Sequence, residues 1–418
     1  MSIRSAVSCL DGYDPAALGV DKARQAIQAC LAPITETEAV ATRDALGRVL
    51  AQDIVPSINV PAHDNSAMDG YALRFADLSG GETTLEQTGS ALAGKPFHGV
   101  LGARQCVRIM TGAVMPAGAD TVVIQEVAKA DGNRIAIPAG QKAGQNVRYA
   151  GEDLKVGAAV LRPGKWLRPA EIGLIASLGI AQIKVKRRLR VAFFSTGDEL
   201  ASIGRPLEEG EVYDSNRYTL HGMLSRLGVE LIDMGVVRDV PEALEKAFRE
   251  AAQKADVVIT TGGVSVGEAD FVKQLMGKLG EVLFWKIAMR PGRPMAFGKI
   301  GEAFLFGLPG NPVAVMVTFY QFVRDALLYM SGRAEGLDVP LLTVPCTEPL
   351  RKVPGRTEYQ RGVLFKEKDG WKVRTTGQQG SGVLRSMSEA NCFIVLEHER
   401  GSVKAGEAVS VQLFEGLA

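Results

Sequence analysis

The chain contains 418 residues, which suggests about three domains at the usual ~150 residues each. Its 48 basic and 47 acidic residues give a net charge of +1, and this balance argues against nucleic acid as a partner. A hydrophobic fraction of 46% is typical of a soluble globular protein. No apolar run approaches the ~18 residues that cross a bilayer, so we expect no membrane contact and a cytoplasmic location.

Few side chains suit a disulfide framework or a zinc site. The five cysteines are scattered and contain no CxxC pair, and the four histidines are far apart in the chain. This usage is typical of a reducing cytosol. We therefore expect carboxylates and backbone groups to carry whatever chemistry there is.

Two regions have the short strand patterns of β-rich domains. Residues 54–156 are rich in glycine and proline, which predicts a small β-rich domain or barrel. The flanking segments 42–52 and 156–180 carry helical and hairpin patterns and could pair as one domain around this insert. The tail from about residue 338 shows further short strands and no long helix, which predicts a separate β domain.

Between residues 190 and 331, apolar runs typical of buried strands alternate with helical patterns. Such alternation predicts an α/β domain whose mostly parallel sheet is covered by helices on both faces. Ligands bind such sheets at the carboxyl ends of the strands. We predict strands over 189–195, 229–237, 256–261, 282–287, 295–299 and 303–308, and helices over 216–227, 241–254, 271–279 and 312–330.

Two loops that follow predicted strands are rich in glycine or proline. The loop from Thr260 to Asp270 reads TTGGVSVGEAD, and its backbone could approach a phosphate at a helix N-terminus. A tight strand-to-helix turn capped by Asp270 explains this loop equally well. In the LPGNP loop, Asn311 as the cap and Pro312 as the first helical residue give a structural explanation that is stronger than a functional one.

Charged side chains concentrate on other loops of the same predicted sheet. Lys286, Arg290 and Arg293 flank a Pro-Gly turn and could bind an oxyanion, although scattered surface charge is the alternative. Carboxylates on several strand-to-helix loops could gather around Mg²⁺, although each one alone is more often a cap or turn residue. These carboxylates are Asp198, Glu199, Asp214, Asp239 and Asp270.

Motifs elsewhere have plainer interpretations. The string HDNSAMDGY predicts a hairpin turn at Asp69–Gly70, and the segment from Gly151 to Asp153 is similarly typical of a turn. Neither the first string nor RIMTG, which ends in Thr111–Gly112, is explained by periodicity. The basic run KVKRRLR, residues 184–190, is predicted to be a solvated face at a domain junction.

Taken together, these strings resemble the MoeA family of molybdopterin molybdenumtransferases, which includes the E domains of gephyrin and of plant Cnx proteins. The resemblance runs in family order from about residue 40 to 400. Many members read KPGKP where this chain reads RPGRP, which keeps both positive charges in guanidinium form. The matching strings are PAHDNSAMDGYA, RIMTGAVMPAGAD, GQNVRYAGED, FSTGDEL, VYDSNR, TTGGVSVGEADF, GLPGNPVA and PGRTEYQRG.

The resemblance implies four domains in an elongated homodimer. A discontinuous linking domain would comprise residues 37–56 and 154–185, with a β-rich inserted domain over 57–153. A molybdopterin-binding-type α/β domain would comprise 12–36 and 186–337, followed by a C-terminal β domain over 338–418. The cleft is expected to be shared, with the insert of one subunit closing over the α/β domain of the other.

The resemblance also implies the reaction and the residues that perform it. The family inserts molybdate into adenylylated molybdopterin and releases AMP, with Mg²⁺ as cofactor and a molybdopterin adenylyltransferase as a candidate partner. Glu199, Asp239 and Asp270 would hold the metal. The implied catalytic positions are Asp69, Thr111, Asp153, Glu199, Asp239 and Asp270. The implied substrate-binding positions are Asp214, Ser215, Asn216, Thr261, Gly262, Gly263, Ser265, Lys286, Arg290, Arg293, Pro309, Pro312, Arg361 and Ser381.

Two other functions stay open from the sequence. Gephyrin uses its E domain to anchor receptors, so a scaffold without turnover is one alternative. This chain shows no appended adaptor domain and keeps the acidic positions, which favours the transferase. A phosphoanhydride hydrolase that acts on another nucleotide is the second alternative, and it leaves the β-rich insert and tail unexplained.

Overall fold

The computed structural model describes Ile3, residues 17–263 and residues 270–414, except for the side chains of residues 270–274. The described chain forms four units, each with its own sheet. The α/β prediction between residues 190 and 331 and the two β-rich predictions are confirmed. The domain boundaries themselves stay predictions.

The unit that flanks the insert is built from two distant segments. Strand β1 (Thr37–Ala41) pairs antiparallel with β10 (Gln182–Lys186), so that Thr37 lies opposite Lys186. Helix α2 (Pro169–Ser177) begins with a proline and covers this pair. Pairing between segments this far apart leaves the intervening chain free to form a unit of its own.

The intervening chain forms a six-stranded sheet with apolar side chains on both faces. The strand order is β6-β3-β5-β4-β8-β7, and all neighbours are antiparallel except β4 and β5. A two-stranded ladder of β2 and β9 lies beside this sheet. The strands are β2 (Asn65–Ser66), β3 (Gly70–Leu73), β4 (Thr83–Ala91), β5 (Gln105–Ile109), β6 (Thr121–Ile124), β7 (Lys129–Asp131), β8 (Arg134–Ile137) and β9 (Val147–Arg148).

The predicted hairpin turn at Asp69–Gly70 is wrong. Strand β2 pairs with β9, whereas β3 pairs with β5 and β6, so the chain at Asp69 passes from one ladder to another. A β-carbon on Gly70 would lie 2.0 Å from the carbonyl oxygen of Val123. Glycine is therefore required there by the close approach of β6 rather than by a turn.

The α/β unit has a six-stranded sheet in the order β14-β11-β15-β19-β18-β16. All strands run in one direction except β18, which is antiparallel to both of its neighbours. The carboxyl ends of five strands and the start of β18 therefore lie on one edge. The strands are β11 (Arg190–Thr196), β14 (Glu230–Val237), β15 (Val257–Thr261), β16 (Gly280–Lys286), β18 (Pro294–Ile300) and β19 (Ala303–Leu308). The short strands β12 (Leu200–Ala201) and β13 (Val212–Tyr213) form a separate parallel pair.

Helices cover both faces of this sheet, as the alternating pattern predicts. Along β11, Val191 and Phe193 face one core and Ala192 and Phe194 face the other, because successive side chains of a strand alternate. The first core holds α1 (Val20–Cys30), α3 (Ser215–Leu227), α6 (Pro312–Thr318) and α7 (Arg324–Met330). The second core holds α4 (Pro241–Lys254) and α5 (Asp270–Leu279).

Helices α6 and α7 are joined by a π-helical segment, Phe319–Val323, and form one rod, Pro312–Met330. By length and composition this rod could cross a membrane, which corrects the expectation that no apolar run reaches that length. Within the fold, 78% of its most apolar stretch is buried. The apolar composition of this rod is therefore explained by its burial in the core.

The C-terminal unit takes one strand from the α/β segment. Strand β17 (Met289–Arg290) pairs in parallel with β21 (Thr357–Glu367), which places Arg290 opposite Glu358. The sheet continues in the order β21-β23-β24-β20, with β22 on the other side of β21. Its remaining elements are β20 (Leu341–Pro345), β22 (Gly370–Thr375), α8 (Arg385–Glu389), β23 (Cys392–Leu396) and β24 (Ala408–Leu413).

The basic run 184–190 is only partly solvated, which corrects its prediction. Val185 and Leu189 are buried, and Arg187 donates to both carboxylate oxygens of Asp256 at 2.7 and 2.8 Å. Val185 lies in the core of the linking unit and Leu189 in the core of the α/β unit, because the chain crosses between the end of β10 at Lys186 and the start of β11 at Arg190. The run therefore joins the linking and α/β units.

Candidate active site

One group of predicted residues lies in the β-rich insert around Asp69 and Thr111. The backbone N–H and the hydroxyl of Thr111 both donate to Oδ1 of Asp69 at 2.7 Å. These two hydrogen bonds, with the nearby charge of Arg108, lower the pKa of Asp69. The pairing of β3 with β5 brings these residues together across 42 positions of sequence. The result is a half-buried carboxylate that stays ionised.

The loop that carries Asp153 is bonded to the same region. The N–H of Asp153 donates to the carbonyl of Val60 at 3.1 Å, and the N–H of Ala150 donates to Oδ1 of Asp64 at 2.8 Å. The side chain of Asp153 is exposed. Asp64 therefore anchors the loop, a role that the sequence analysis missed although this residue is part of the HDNSAMDG string.

A second group lies at the carboxyl edge of the α/β sheet, on the loops after β11 and β14. Thr196 donates its hydroxyl to Oδ1 of Asp239 at 3.5 Å, and the N–H of Asp239 donates to Asp198 at 3.2 Å. The carboxylate of Glu199 lies so close to Gly197 that a β-carbon there would be 2.6 Å from it. Carboxylates from two loops are thus gathered at one end of the edge.

Beneath this edge, a buried chain of hydroxyl groups ends at Asp214. Thr261 donates to Ser195 at 3.1 Å, and Ser195 donates to Oδ1 of Asp214 at 3.0 Å. The same oxygen accepts the N–H of Arg217, so Asp214 caps helix α3. Asp214 and Thr261 are each only 1% exposed. Both hold the carboxyl ends of β11 and β15 in place from below.

Above them, glycine allows three loops to approach one another. Gly262 has φ +87°, and a β-carbon on it would lie 2.3 Å from the carbonyl oxygen of Thr196. Its N–H donates to the carbonyl of Leu308 at 3.3 Å, and Nδ2 of Asn216 donates to the carbonyl of Gly310 at 2.7 Å.

The remaining predicted positions at this edge lie next to these residues or outside the described ones. Gly263 also has a positive φ of +65°. Ser215 begins helix α3 beside Asn216. Ser265 lies outside the described residues. Asp270 begins helix α5, and its side chain is likewise outside the description.

A third group surrounds Arg361, which is only 1% exposed. Its guanidinium donates to three neutral oxygens: Oγ of Ser386 at 3.1 Å, and the carbonyls of Gly380 and Tyr359 at 3.1 and 3.3 Å. No carboxylate among the described residues pairs with it. Burial, followed by the charge of Arg290, lowers the pKa of Arg361 to about 10. A buried cation without an acidic partner is suited to an anionic ligand.

Arg361 and Arg290 line a cavity of about 330 Å³ between the α/β and C-terminal units. Gln379 holds the backbone of Arg361 by a pair of hydrogen bonds of 2.7 and 3.1 Å. The sequence analysis missed Gln379 and Arg351 as cavity residues. The glycine-rich string TTGQQGSG around Gln379 is the signal that could have drawn attention to it.

Ser381 and the two predicted prolines lie next to this group. The carbonyl of Ser381 accepts the N–H of Val313 at 3.1 Å, which joins the loop after β22 to the first turn of α6. Pro312 is the first residue of α6, and Pro309 is buried directly after β19. Lys286 and Arg293 are exposed at the same sheet edge but do not line the cavity around Arg361.

Three family models match the chain in order. Residues 18–179 match the MoeA N-terminal region (domain I and II), 192–329 a probable molybdopterin binding domain, and 343–414 the MoeA C-terminal region (domain IV). The chain is 45% identical over 402 residues to the molybdopterin molybdenumtransferase of Haemophilus influenzae, covering 96% of this chain and 99% of that one.

The chain belongs to the molybdopterin molybdenumtransferase family.

Other family members agree. The molybdopterin molybdenumtransferase of a Nostoc species is 37% identical, covering 90% of this chain and 88% of that one. A crystal structure of the molybdopterin biosynthesis MoeA protein from Pyrococcus horikoshii OT3 covers 95% of this chain and all of that one, with a TM-score of 0.83 and 28% identity. The architecture is therefore that of MoeA proteins.

The three groups of this family member do not form one contact network in the single chain. Every described hydrogen bond of residues 62–153 is made within residues 56–157. Asp69 and Thr111 are thus brought together with each other, and near the loop of Asp153, but not with Glu199 or Asp239. No group of three suitable ligands occurs among the described residues, and the predicted metal site stays a prediction because the side chain of Asp270 lies outside them.

Proposed function

We propose that the protein inserts molybdate into adenylylated molybdopterin and releases AMP, as a step of molybdenum cofactor biosynthesis. The observation that carries this proposal is Arg361, a buried guanidinium that faces a cavity with Arg290 and has no carboxylate partner among the described residues. Molybdate is a compact oxyanion, and two guanidinium forks offer it charge-assisted hydrogen bonds. The names of the relatives support molybdopterin as the other substrate.

We infer that the glycine loop after β15 receives the phosphates of the substrate. Because Gly262 and Gly310 have no side chains, a ligand can approach the backbone closely at this edge, where phosphates bind well. Cleavage of a phosphoanhydride depends mainly on positioning and charge neutralisation. The nearby cations Lys286 and Arg293 supply charge, and Asn216 fixes the opposite loop.

We propose that Glu199 and Asp239, with Asp270, hold a magnesium ion. The donors fit this ion, because the described part of the edge offers carboxylate and hydroxyl oxygens, which are the ligands Mg²⁺ prefers. When bound, the ion would neutralise phosphate charge. The protein's own contribution is to hold Asp239 between the hydroxyl of Thr196 and the loop of Asp198.

We propose that the complete site forms in a homodimer. Asp69, Thr111 and Asp153 lie in an insert whose described hydrogen bonds do not reach the α/β edge of the same chain. In a twofold dimer, the insert of one protomer can close over the cleft of its partner, and two equivalent sites result. The substrate's adenylyl group must come from a preceding adenylyl transfer, so we propose a cytoplasmic molybdopterin adenylyltransferase as a further partner.

Purified protein incubated with adenylylated molybdopterin, Mg²⁺ and a series of molybdate concentrations tests the proposal. The transferase releases AMP in proportion to molybdate and yields molybdenum-containing molybdopterin. AMP release that is indifferent to molybdate would indicate a phosphoanhydride hydrolase instead. No turnover by the folded dimer would indicate a scaffold, which the present observations do not favour.

A further inference from the structure

A second cavity, of about 500 Å³, lies where the linking, α/β and C-terminal units meet. Leu189 and Val229, which line it, directly precede β11 and β14, so the cavity is at the amino edge of the sheet. The seven residues of β11 span ~23 Å at the usual strand rise. The cavity is therefore at the opposite end of the sheet from the candidate active site.

The lining of this cavity is strongly basic. Seven arginine and lysine side chains contribute to it, against the single carboxylate of Asp338. Three of the arginines are neutralised by carboxylates close by. These pairs are Arg48 with Glu38, Arg187 with Asp256 and Arg324 with Asp325.

Four cations of the lining, Lys186, Arg188, Arg226 and Arg333, have no ion pair among the described residues. Lys186 and Arg188 donate to the backbone carbonyls of Ile34 and Gly228. The simpler explanation is that these cations neutralise the partial negative charge at the carboxyl ends of helices α3 and α7. Two helix ends supply only about half a negative charge each, and Arg187 contacts Glu36 as well as Asp256. With Asp338, the lining therefore keeps an excess of about one positive charge.

Arg333 is the most informative of the four. Its guanidinium lies 4.2 Å from the centre of the Trp166 ring, and its Nε atom is buried without a hydrogen-bond partner. Burial, followed by the charge of Arg324, lowers its pKa. A partly desolvated guanidinium without a carboxylate partner is costly, and an anion in the cavity would offset that cost.

The rest of the lining is apolar. Leu46, Trp166 and Leu342 line the cavity and are 55%, 37% and 41% exposed. A bare inorganic anion would leave these surfaces in water, whereas a phosphate ester with a flat or apolar body would cover them. The excess positive charge favours an anion, and a phosphate monoester carries about −1.5 to −2 near neutral pH.

We propose that this cavity is a binding site for a mononucleotide or a similar organic phosphate monoester, separate from the active site. Its phosphate would lie among Arg226, Arg333 and Lys186, and its base against Trp166 and Leu342. The cavity volume of about 500 Å³ falls within the range of small-ligand sites. Because residues of three units line the cavity, a bound ligand would stabilise one arrangement of these units over others.

The test is calorimetric titration of the full-length dimer with 5′-AMP, adenosine and inorganic phosphate. Arg333→Gln and Arg226→Gln are each expected to weaken AMP binding about tenfold, since each removes one charge-assisted contact. Arg134→Gln, which removes an exposed charge in the insert, is the matched control and keeps wild-type affinity. Arg226 is exposed on α3, so its variant remains informative if Arg333→Gln disturbs folding.

Tighter binding of AMP than of phosphate or adenosine, with loss in both cavity variants, supports the site. AMP affinity equal in wild type and in both variants would overturn it, and would assign any binding to the carboxyl edge. Equal affinities for phosphate and for AMP would overturn the proposal that the ligand is an organic phosphate monoester. Dissociation of the dimer by Arg226→Gln in sedimentation would make the cavity an interface between copies, which also overturns the proposal.

Discussion

The guanidinium of Arg361 is held by neutral oxygens and is close to a second arginine, Arg290. A buried charge is normally balanced by an acidic neighbour, because its desolvation is otherwise uncompensated. In the proposed function, the oxyanion supplies this balance. The identity of one side chain would then decide what the cavity binds.

Arg361→Lys tests this at the scale of a single residue. Lysine keeps the charge but loses the planar fork, and charged hydrogen bonds contribute about 1.5–3 kcal/mol each. We expect molybdate-dependent AMP release to fall about ten- to a hundredfold at limiting molybdate, with a raised KM for molybdate. Arg374→Lys, on the exposed side of β22, should behave as wild type. An unchanged KM for molybdate in Arg361→Lys would contradict the assignment.

The sequence could indicate these residues only by resemblance. Arginine is rarely buried, so nothing in the local pattern around Arg361 predicts 1% exposure. Asp69 and Thr111 are 42 positions apart, and their hydrogen bonds depend on strand pairing. By contrast, Asp214 as the cap of α3 is the kind of local contact that a turn pattern does predict.

At the scale of elements, the strand-to-helix loops of the α/β sheet depend on glycine. Gly262→Ala would place a β-carbon 2.3 Å from the Thr196 carbonyl, so β11 and β15 would have to separate. We expect a marked loss of thermal stability and AMP release below a hundredth of wild type, since positioning errors are costly.

The matched control is Gly204→Ala. Gly204 has a similar φ of +93°, yet nothing lies within 4 Å of a β-carbon there. Its variant carries the backbone strain without the collision, so its activity should stay close to wild type. Equal losses in both variants would show that positive φ, rather than close approach, is the requirement at Gly262.

Helix α2 of the linking unit carries a pH-dependent contribution to stability. Hydrogen bonding to the side chain of Arg168 is the main cause that lowers the pKa of Glu171 to about 2 from 4.5. A lowered folded-state pKa stabilises the fold above pH 4.5, and this stabilisation is lost as pH falls towards 2.

We expect Glu171→Ala to reduce the free energy of unfolding by about 1 kcal/mol at pH 7, as for other helix caps. The difference from wild type should shrink as pH falls from 4.5 towards 2, when followed by thermal unfolding. Glu389→Ala, which breaks an exposed pair with Arg385, is the control with a smaller effect. A constant difference across this pH range would contradict the assigned cause.

Element types were largely predictable from the sequence. The six strands and the four helical segments between residues 190 and 331 follow from apolar runs and their periods, which are local properties. The two-residue strand β17 is too short to show an alternation of apolar and polar residues, although it carries Arg290 into the sheet of the C-terminal unit. Strand β18 was predicted, but its antiparallel direction was not, because the direction is defined only by its pairing with β16 and β19.

At the scale of the whole molecule, the candidate residues of the insert are separate from all the others. Asp69, Thr111 and Asp153 lie in the insert. Glu199 and Asp239 lie in the α/β unit, and Arg361 lies in the adjoining C-terminal unit. In the proposed homodimer, the active site is therefore shared between protomers. Each protomer would supply one half of each site.

Subunit complementation tests this claim most directly. Asp69→Ala and Asp239→Ala are each expected to be inactive in AMP release as homodimers. After subunit exchange, the heterodimer has one site with both lesions and one with neither, and should recover up to about half of wild-type activity. Verified exchange without any recovery would contradict the account, because it would place each active site within a single chain.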